Sequence, residues 1–475
     1  MTEQVDFDAV SQLGDGFKGE AISPGDIGYD DARAVWNGSI DRRPALIVRP
    51  RGAADVIDAV DYARAEGLPL AVRCGGHSVA GNGTVDGGVL VDLASLKGVH
   101  VDPQARTARV NGGVLVGELD RETQLFGLAT PSGRVTTTGV GGFTLGGGYG
   151  WLSPKFGLAC DNLLSADVVT ADGRLVTASE RENDDLLWGL RGGGGNFGVA
   201  TSYEFRLHPL GPTVLAGLLV HPVDEAKSLL RASRDYVESA PEELVTATGI
   251  LQAPPAEFIP PHLHGEPVLG LFVLYIGDPK EGGAVVAPLK ALGAPAVDLV
   301  APMPYMAFQA VIDPFAPRGM LNYHRGIHLS GLSDEAIDTY VDLGTEIALV
   351  SAPTTQAILF RHGGAVSQVA DDATAAGHRD AAYMAHPIAA WQDPAQSELH
   401  LDWVRRFSEA MAPFTTGGVY LNFEPDEGEE RVRAGYGAEK YARLVALKDK
   451  WDPDNLFRVN QNIRPSRDTR VPAPA

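Results

Sequence analysis

His77 closes the run Arg73-Cys74-Gly75-Gly76-His77-Ser78, where a short apolar stretch, LPLAVRC, gives way to a glycine turn. A lone histidine after a strand is usually structural or solvated, so its meaning rests on its surroundings. Those include two glycine clusters: GVGGFTLGGGYG over 139–150, with seven glycines in twelve positions, and Gly192 to Gly195. Such density predicts no regular element and suits backbone that must approach something closely. Bare N–H groups of this kind can line up on phosphate oxygens. There is no GxxxxGK[ST], and GVGGFT lacks the third glycine of the dinucleotide fingerprint, so neither a P-loop nor a Rossmann turn is present. A phosphate cradle and tight structural turns both remain open on these residues alone.

The elements that must position these groups follow from periodicity. PALIVRP reads as a buried strand, and AADVIDAVDYARAEG places Val56, Ile57, Val60 and Ala63 at helical spacing. VLVDLASLKGVHVD and TARVNGG are strand-like, and a helix is predicted from Leu115 to about Phe126, stopped by Gly127. DVVTADGRLVTAS reads as a hairpin turned at Asp172-Gly173, and Val199 to Leu207 as an alternating strand. Strands alternating with helices favour an α/β layer with a partly parallel sheet in this half. Near Gly211 the glycine clusters give way to proline-rich mixed segments such as APPAEFIPP and APMPYM, which marks a boundary. From Asn422 to Pro465 the sequence again reads as a compact unit, with helix AEKYARLVALKDKW closed by Asp452-Pro453.

The 475 residues are 44% hydrophobic and 21% charged, ordinary for a globular chain of two or three domains. A formal charge of −22 with no dense basic stripe argues against nucleic acid as a partner. The start, MTEQVDFDAVSQLGDGF, lacks a basic and apolar leader, and no run approaches the ~18 apolar residues of a membrane span. A soluble cytoplasmic protein is the expectation. The two cysteines, Cys74 and Cys160, suggest no disulfide framework, no metal site is expected, and oligomeric state is not legible.

Four ordered stretches, RCGGHSVAGNGTVDGGVLVDL, GGFTLGGGYGWLSPKFGLACDNLLSADVVTADG, DDLLWGLRGGGGNFGVAT and YARLVALKDKWDPDNLFRVNQNIRP, carry a family resemblance. Together they resemble the berberine-bridge-enzyme-like branch of the FAD-linked oxidases, in the superfamily of vanillyl-alcohol oxidase and para-cresol methylhydroxylase. The resemblance runs from about Arg42 to Pro465. It implies an α+β chain with a two-subdomain FAD-binding fold of the para-cresol-methylhydroxylase type and a substrate domain of antiparallel sheet flanked by helices. The implied segments are 1–210 for FAD binding, 211–414 for substrate, and 415–475 returning to the FAD domain.

Carried over position by position, the resemblance implies that His77 bears the flavin 8α-carbon. The backbone around Arg73, Gly75, Gly76, Ser78 and Val79 would hold the pyrophosphate. Thr136, Thr137, Thr138, Gly139, Gly142, Thr144 and Gly147 would line the cofactor, with Asp161 and Asn162 beyond and Val199 near the adenine. Asn460 and Asn462 would close over the ring system. Many relatives tether the flavin a second time, through a cysteine that here reads Val135, so a single attachment is implied. Phe143 replaces a histidine that often contacts the ribityl chain.

Family bases are missing too. The YxNY motif reads Tyr420-Leu421-Asn422-Phe423, and the glutamate position falls near Met384; neither Phe423 nor Met384 can take a proton. Tyr149, Tyr420, Tyr383 and His386 remain as candidate catalytic groups, Tyr149 first. The expected reaction is hydride transfer from a small amine, alcohol, sugar or secondary metabolite, with O2 as acceptor. A dehydrogenase using another acceptor, or a non-redox cyclase with FAD as scaffold, is the alternative. Phe308, Tyr323, His324, Gln356 and Arg361 are plausible substrate-lining positions.

Overall fold

A computed structural model describes residues 13–14 and 16–467. The ends of the expected first and last segments, 1–12 and 468–475, lie outside the described residues. Strand Val89–Asp92 lies in parallel between Leu46–Arg49 and Leu70–Arg73, and Glu20–Ile22 adds an antiparallel edge. Parallel neighbours need a crossover. Helix Ala53–Ala65 supplies the one that joins Leu46–Arg49 to Leu70–Arg73 across Val89–Asp92, burying Val56, Val60 and Ala63 of the predicted stripe together with Ala59, while Ile57 is only half-buried. The strand-like run VLVDLASLKGVHVD is divided in the structure. Its first half joins this sheet, and Val99–Asp102 joins the next one, with a one-turn helix at Leu93–Ser95 between them.

The second sheet has five antiparallel strands in the order Val99–Asp102, Thr107–Asn111, Val199–Arg206, Leu163–Val169, Leu175–Ser179. Its last pair turns at Asp172-Gly173 with Gly173 at φ 80°, a left-handed position that suits glycine. One expectation fails beside it. The glycine run 139–150 is not wholly irregular, because helix Val140–Leu145 forms inside it. Val140 and Leu145 are buried in the core against the second sheet, and that packing overrides the poor helix propensity of Gly141 and Gly142.

From Thr213 the chain builds a ten-stranded antiparallel sheet. Alternate residues face opposite ways along a strand. On Gln356–Arg361, Ala357 and Leu359 join the core made with helices Asp334–Ala348 and Ser397–Met411, while Ile358 and Phe360 face the first half of the chain beside Tyr149 and Trp151. Tyr383–Trp391 repeats the pattern, with Ala385 and Ala389 toward the helices and Met384 the other way. One face of the sheet is thus covered by helices, and the other looks onto the glycine-rich layer.

The C-terminal helix Ala438–Trp451 packs its Leu444 and Leu447 on the glycine cluster at 189–193. Its Lys448 is fully buried; the ammonium donates to the Asn196 carbonyl (2.8 Å), the Phe457 carbonyl (2.9 Å) and the Asp452 carboxylate (2.6 Å). Asn196 Oδ1 accepts from the Ile463 amide at 2.9 Å. The last segment is thereby stitched to the second glycine cluster.

Candidate active site

Strand Leu70–Arg73 delivers the chain into the turn that carries His77. Arg73 does not reach outward. Its buried guanidinium pairs with Asp92 (2.7 Å) and donates to the carbonyls of Ala32 (2.5 Å) and Ala34 (3.2 Å), fixing the strand end. Gly75 lies so close to the 137–139 loop that a Cβ there would sit 2.3 Å from the Gly139 nitrogen. Two bare backbones therefore touch, and a side chain on either would part them. The His77 ring stacks on Trp36, with centroids 5.0 Å apart and planes at 20°. Its Nε2 lies 2.8 Å from Thr137 Oγ1. Burial, with the nearby Arg318 charge, pulls the His77 pKa down to about 4. The ring is neutral at pH 7 and can offer a nitrogen lone pair to an electrophilic carbon.

A cavity of about 370 Å³ opens beside this turn. Arg73, Gly75, Gly76, His77, Ser78 and Val79 line one end of it, and Thr138, Gly139 and Gly142 continue the wall. Gly142 and Gly195 present bare backbone toward the cavity, with no atom within 4 Å of where a Cβ would stand. Asn460 closes it from the C-terminal segment, and its Oδ1 is buried with no partner. Asn462 Oδ1 and Thr144 Oγ1 are likewise buried and unpartnered, although neither residue lines the cavity. Glycine N–H donors for phosphates, a neutral imidazole and the orphaned Asn460 Oδ1 as an acceptor fit a long dinucleotide such as FAD.

Other residues expected at the cofactor take supporting places. Thr137 reaches the site through its bond to His77, and Thr136 is held by Asp313 at 2.5 Å. Gly147 lies behind Tyr420. Asp161 is locked to Arg379 at 2.5 and 3.0 Å, and Asn162 bonds the carbonyls of Phe156 and Leu158 and the ring of His208. Val199 is wholly buried in the second sheet. None of these lines the cavity.

Of the candidate catalytic groups, Tyr149, Tyr420 and His386 all reach the cavity wall, and Tyr383 does not. Tyr383 sits on the helix-covered face of the sheet. The Tyr149 hydroxyl donates to the Arg361 carbonyl, and burial pushes its pKa up to about 12. The Tyr420 oxygen accepts from the amides of Gly148 (3.0 Å) and Tyr149 (2.8 Å) and from Asn422 Nδ2 (3.1 Å). Burial outweighs those three donors and lifts this phenol to about 12 as well. His386 stacks on Phe423 at 3.7 Å and 7°, and its buried Nε2 has no partner. Burial, with His324 and Arg134 nearby, holds the His386 pKa well below the usual range, so the imidazole is neutral. Among the substrate-lining positions His324 and Gln356 reach the cavity, whereas Phe308, Tyr323 and Arg361 do not.

Sequence reasoning missed Trp36 and Arg134, both on the cavity wall. Trp36 carries no motif at all. Arg134 is an isolated cation inside the uncharged stretch from Gly127 to Pro154, which is itself a signal.

Several buried imidazoles share one pH consequence. Burial pulls His324 to about 3 and His362 to about 4. Their folded values lie below the unfolded value of about 6.5, so the unfolded chain binds more protons between about pH 6.5 and 4. Stability is complete above that window and falls as pH drops through it. A thermal melting series should show a nearly constant Tm from pH 8 to 7 and a fall of several degrees by pH 4.5.

Comparisons with known proteins agree with the geometry. Residues 44–179 match the FAD binding domain profile, and residues 419–464 match the profile described as berberine and berberine like. An FAD-linked oxidoreductase of Dictyostelium discoideum is 34% identical over 439 residues, covering 90% of this chain and 91% of that protein. The (R)-6-hydroxynicotine oxidase of Paenarthrobacter nicotinovorans is 34% identical over 470 residues, covering 94% and 97%. The crystal structure of 6-hydroxy-D-nicotine oxidase from Arthrobacter nicotinovorans superposes with a TM-score of 0.84 at 31% identity, covering 95% and 98%. Glucooligosaccharide oxidase from Acremonium strictum, described as carrying a 6-S-cysteinyl, 8α-N1-histidyl FAD, gives 0.81 at 25%, covering 94% and 96%.

Proposed function

The chain belongs to the berberine-bridge-enzyme-like FAD-linked oxidoreductases, and from that premise we propose an oxidase whose FAD is held by one covalent bond to His77. It takes two electrons and two protons from a small amine, alcohol, sugar or secondary metabolite and delivers them to O2, giving hydrogen peroxide. The observation that carries this reading is the neutral His77 ring, stacked on Trp36 and held by Thr137, at the junction of the glycine turn and the cavity. Relatives named as oxidases of 6-hydroxynicotine and of glucooligosaccharide support the reaction class.

FAD supplies the hydride-accepting ring when bound. The protein contributes anchoring, orientation and a dry pocket. A single tether is favoured because Val135 lines the cavity where a second sulfur would be needed. The two thiols present do not substitute. Cys74 donates to the Val114 carbonyl, with burial pushing its pKa up to about 11, and Cys160 is fully buried away from the lining. A buried protonated thiol is a poor nucleophile.

No cavity group is poised as a strong base. The Tyr149 proton is engaged by the Arg361 carbonyl, and Phe423 and Met384 are inert. A substrate whose own nitrogen or oxygen lone pair stabilises the developing cation suits such a site. His386 Nε2 is the unpartnered ring nitrogen available to orient that heteroatom.

A screen of amines, alcohols and sugars tests this. At least one should bleach the bound flavin anaerobically, and admitting air should restore the colour with one hydrogen peroxide per turnover. Reoxidation by a dye but only slowly by air would replace the oxidase with a dehydrogenase. Turnover of a substrate without bleaching would point to non-redox chemistry.

A further inference from the structure

We propose that Arg134 is the anion-binding residue of the substrate cavity, and that the substrate carries a carboxylate on a flat apolar body. The inference deepens the oxidase reading and rests on it for the word substrate. Arg134 is 8% exposed and lines the cavity. Its guanidinium lies 3.5 Å from the ring centroid of Phe360, 4.8 Å from that of Tyr149 and 4.9 Å from that of Trp151. No carboxylate pairs with it among the described residues; the neutral Tyr149 hydroxyl is its side-chain hydrogen-bonding neighbour, and its Nε has no partner. Aromatic faces attract a cation but repay only part of the cost of removing it from water. A buried guanidinium of this kind is completed by an anion, and its fork matches a carboxylate in two parallel bonds.

The protein does not offer that anion itself. Glu424 is the carboxylate on the cavity wall among the described residues; it accepts from the Gly326 amide at 3.0 Å and from Arg431 at 2.9 Å. Tyr149 cannot become the counter-charge in this arrangement, because its hydroxyl proton is donated to the Arg361 carbonyl and a phenolate would face that oxygen. The cofactor phosphates belong with the bare backbone of the glycine turn and of Gly142 and Gly195. A line of ring contacts runs from His77 to Trp36 (5.0 Å), His324 (5.8 Å), His386 (5.2 Å) and Phe360 (6.2 Å) before Arg134 is reached. Around Arg134 the wall comes from the open face of the ten-stranded sheet, with Ile358, Phe360, Phe272 and Ile388. Beside the cation, that wall sets the polar groups of His386, Gln356 and Tyr149 among these apolar side chains, which suits a flat acid carrying a single heteroatom.

Titrating the flavin absorbance of the holoenzyme with benzoate and with its neutral isostere benzamide tests this without turnover, so the outcome is independent of whether peroxide is formed. Benzoate should bind about tenfold or more tightly than benzamide. R134M should lose that preference while keeping its affinity for benzamide, and R134K should retain part of it. Flavin content and Tm report whether each variant is folded; if R134M does not hold flavin, the wild-type pair and R134K decide. Equal affinity for the two probes, no perturbation by benzoate, or a preference that survives in R134M overturns the proposal.

Discussion

His77→Ala protein is expected to lose all of its acid-stable flavin while keeping its fold. After precipitation in acid the wild-type pellet should stay yellow and the variant pellet should be white, with free FAD in the supernatant. The expectation follows from the inventory of the cavity wall. Cys74, Tyr149 and Tyr420 are held protonated by burial and Val135 is inert, and the other wall imidazoles, His324 and His386, lie on the large sheet and not in the glycine turn with His77. Before acid treatment the variant should still bind FAD reversibly. The bare backbone at Gly142 and Gly195 and the orphaned Asn460 Oδ1 contribute independently of the imidazole. Flavin that remains bound to acid-precipitated His77→Ala protein would place the tether elsewhere.

Lys448→Ala should be the most destabilising single change, for a reason remote from chemistry. The ammonium and the Asp452 carboxylate are both fully buried 2.6 Å apart, and Asp452 also accepts from the amides of Leu456 and Phe457 at 2.8 Å each. Removing one partner leaves a buried charge uncompensated, which costs about 3–5 kcal/mol. It also cuts the bonds from Lys448 to Asn196 and Phe457 that tie the terminal segment to the second glycine cluster. Limited proteolysis should therefore release a C-terminal fragment from the variant, with a lowered Tm and weakened FAD retention. The double change Lys448→Met with Asp452→Leu should recover part of the lost Tm, since it leaves no buried charge.

The anchor half of the site was legible because its chemistry sits in contiguous turns. His77, Gly75 and Gly76 line the cavity where the chain places them, and Gly139 meets Gly75 because both lack a Cβ. The hairpin at Asp172-Gly173 and the helical spacing of Val56, Ile57, Val60 and Ala63 were equally local signals, although Ile57 is only half-buried. The substrate half was not. Its residues come from alternate positions of separate strands, and a period of two does not say which face the helices will cover. Ile358 and Phe360 reach the cavity side while Arg361, one residue on, turns its guanidinium to the Val237 carbonyl. Tyr383 and His386 part company in the same way. Asp161 and Asn162, which the family resemblance assigns to the cofactor, have their polar atoms consumed by Arg379, by backbone and by His208. Helix Val140–Leu145 shows the converse error, tertiary packing overriding a local glycine signal.

The central claim is one covalent bond between FAD and His77. Intact mass spectrometry of the denatured wild-type protein, followed by peptide mapping, tests it most directly. The expected result is a polypeptide heavier by a single FAD, with the flavin on the one peptide that contains His77 and on no cysteine peptide. A denatured chain at its unmodified mass, or flavin on a peptide carrying Cys74 without modification at His77, would contradict it.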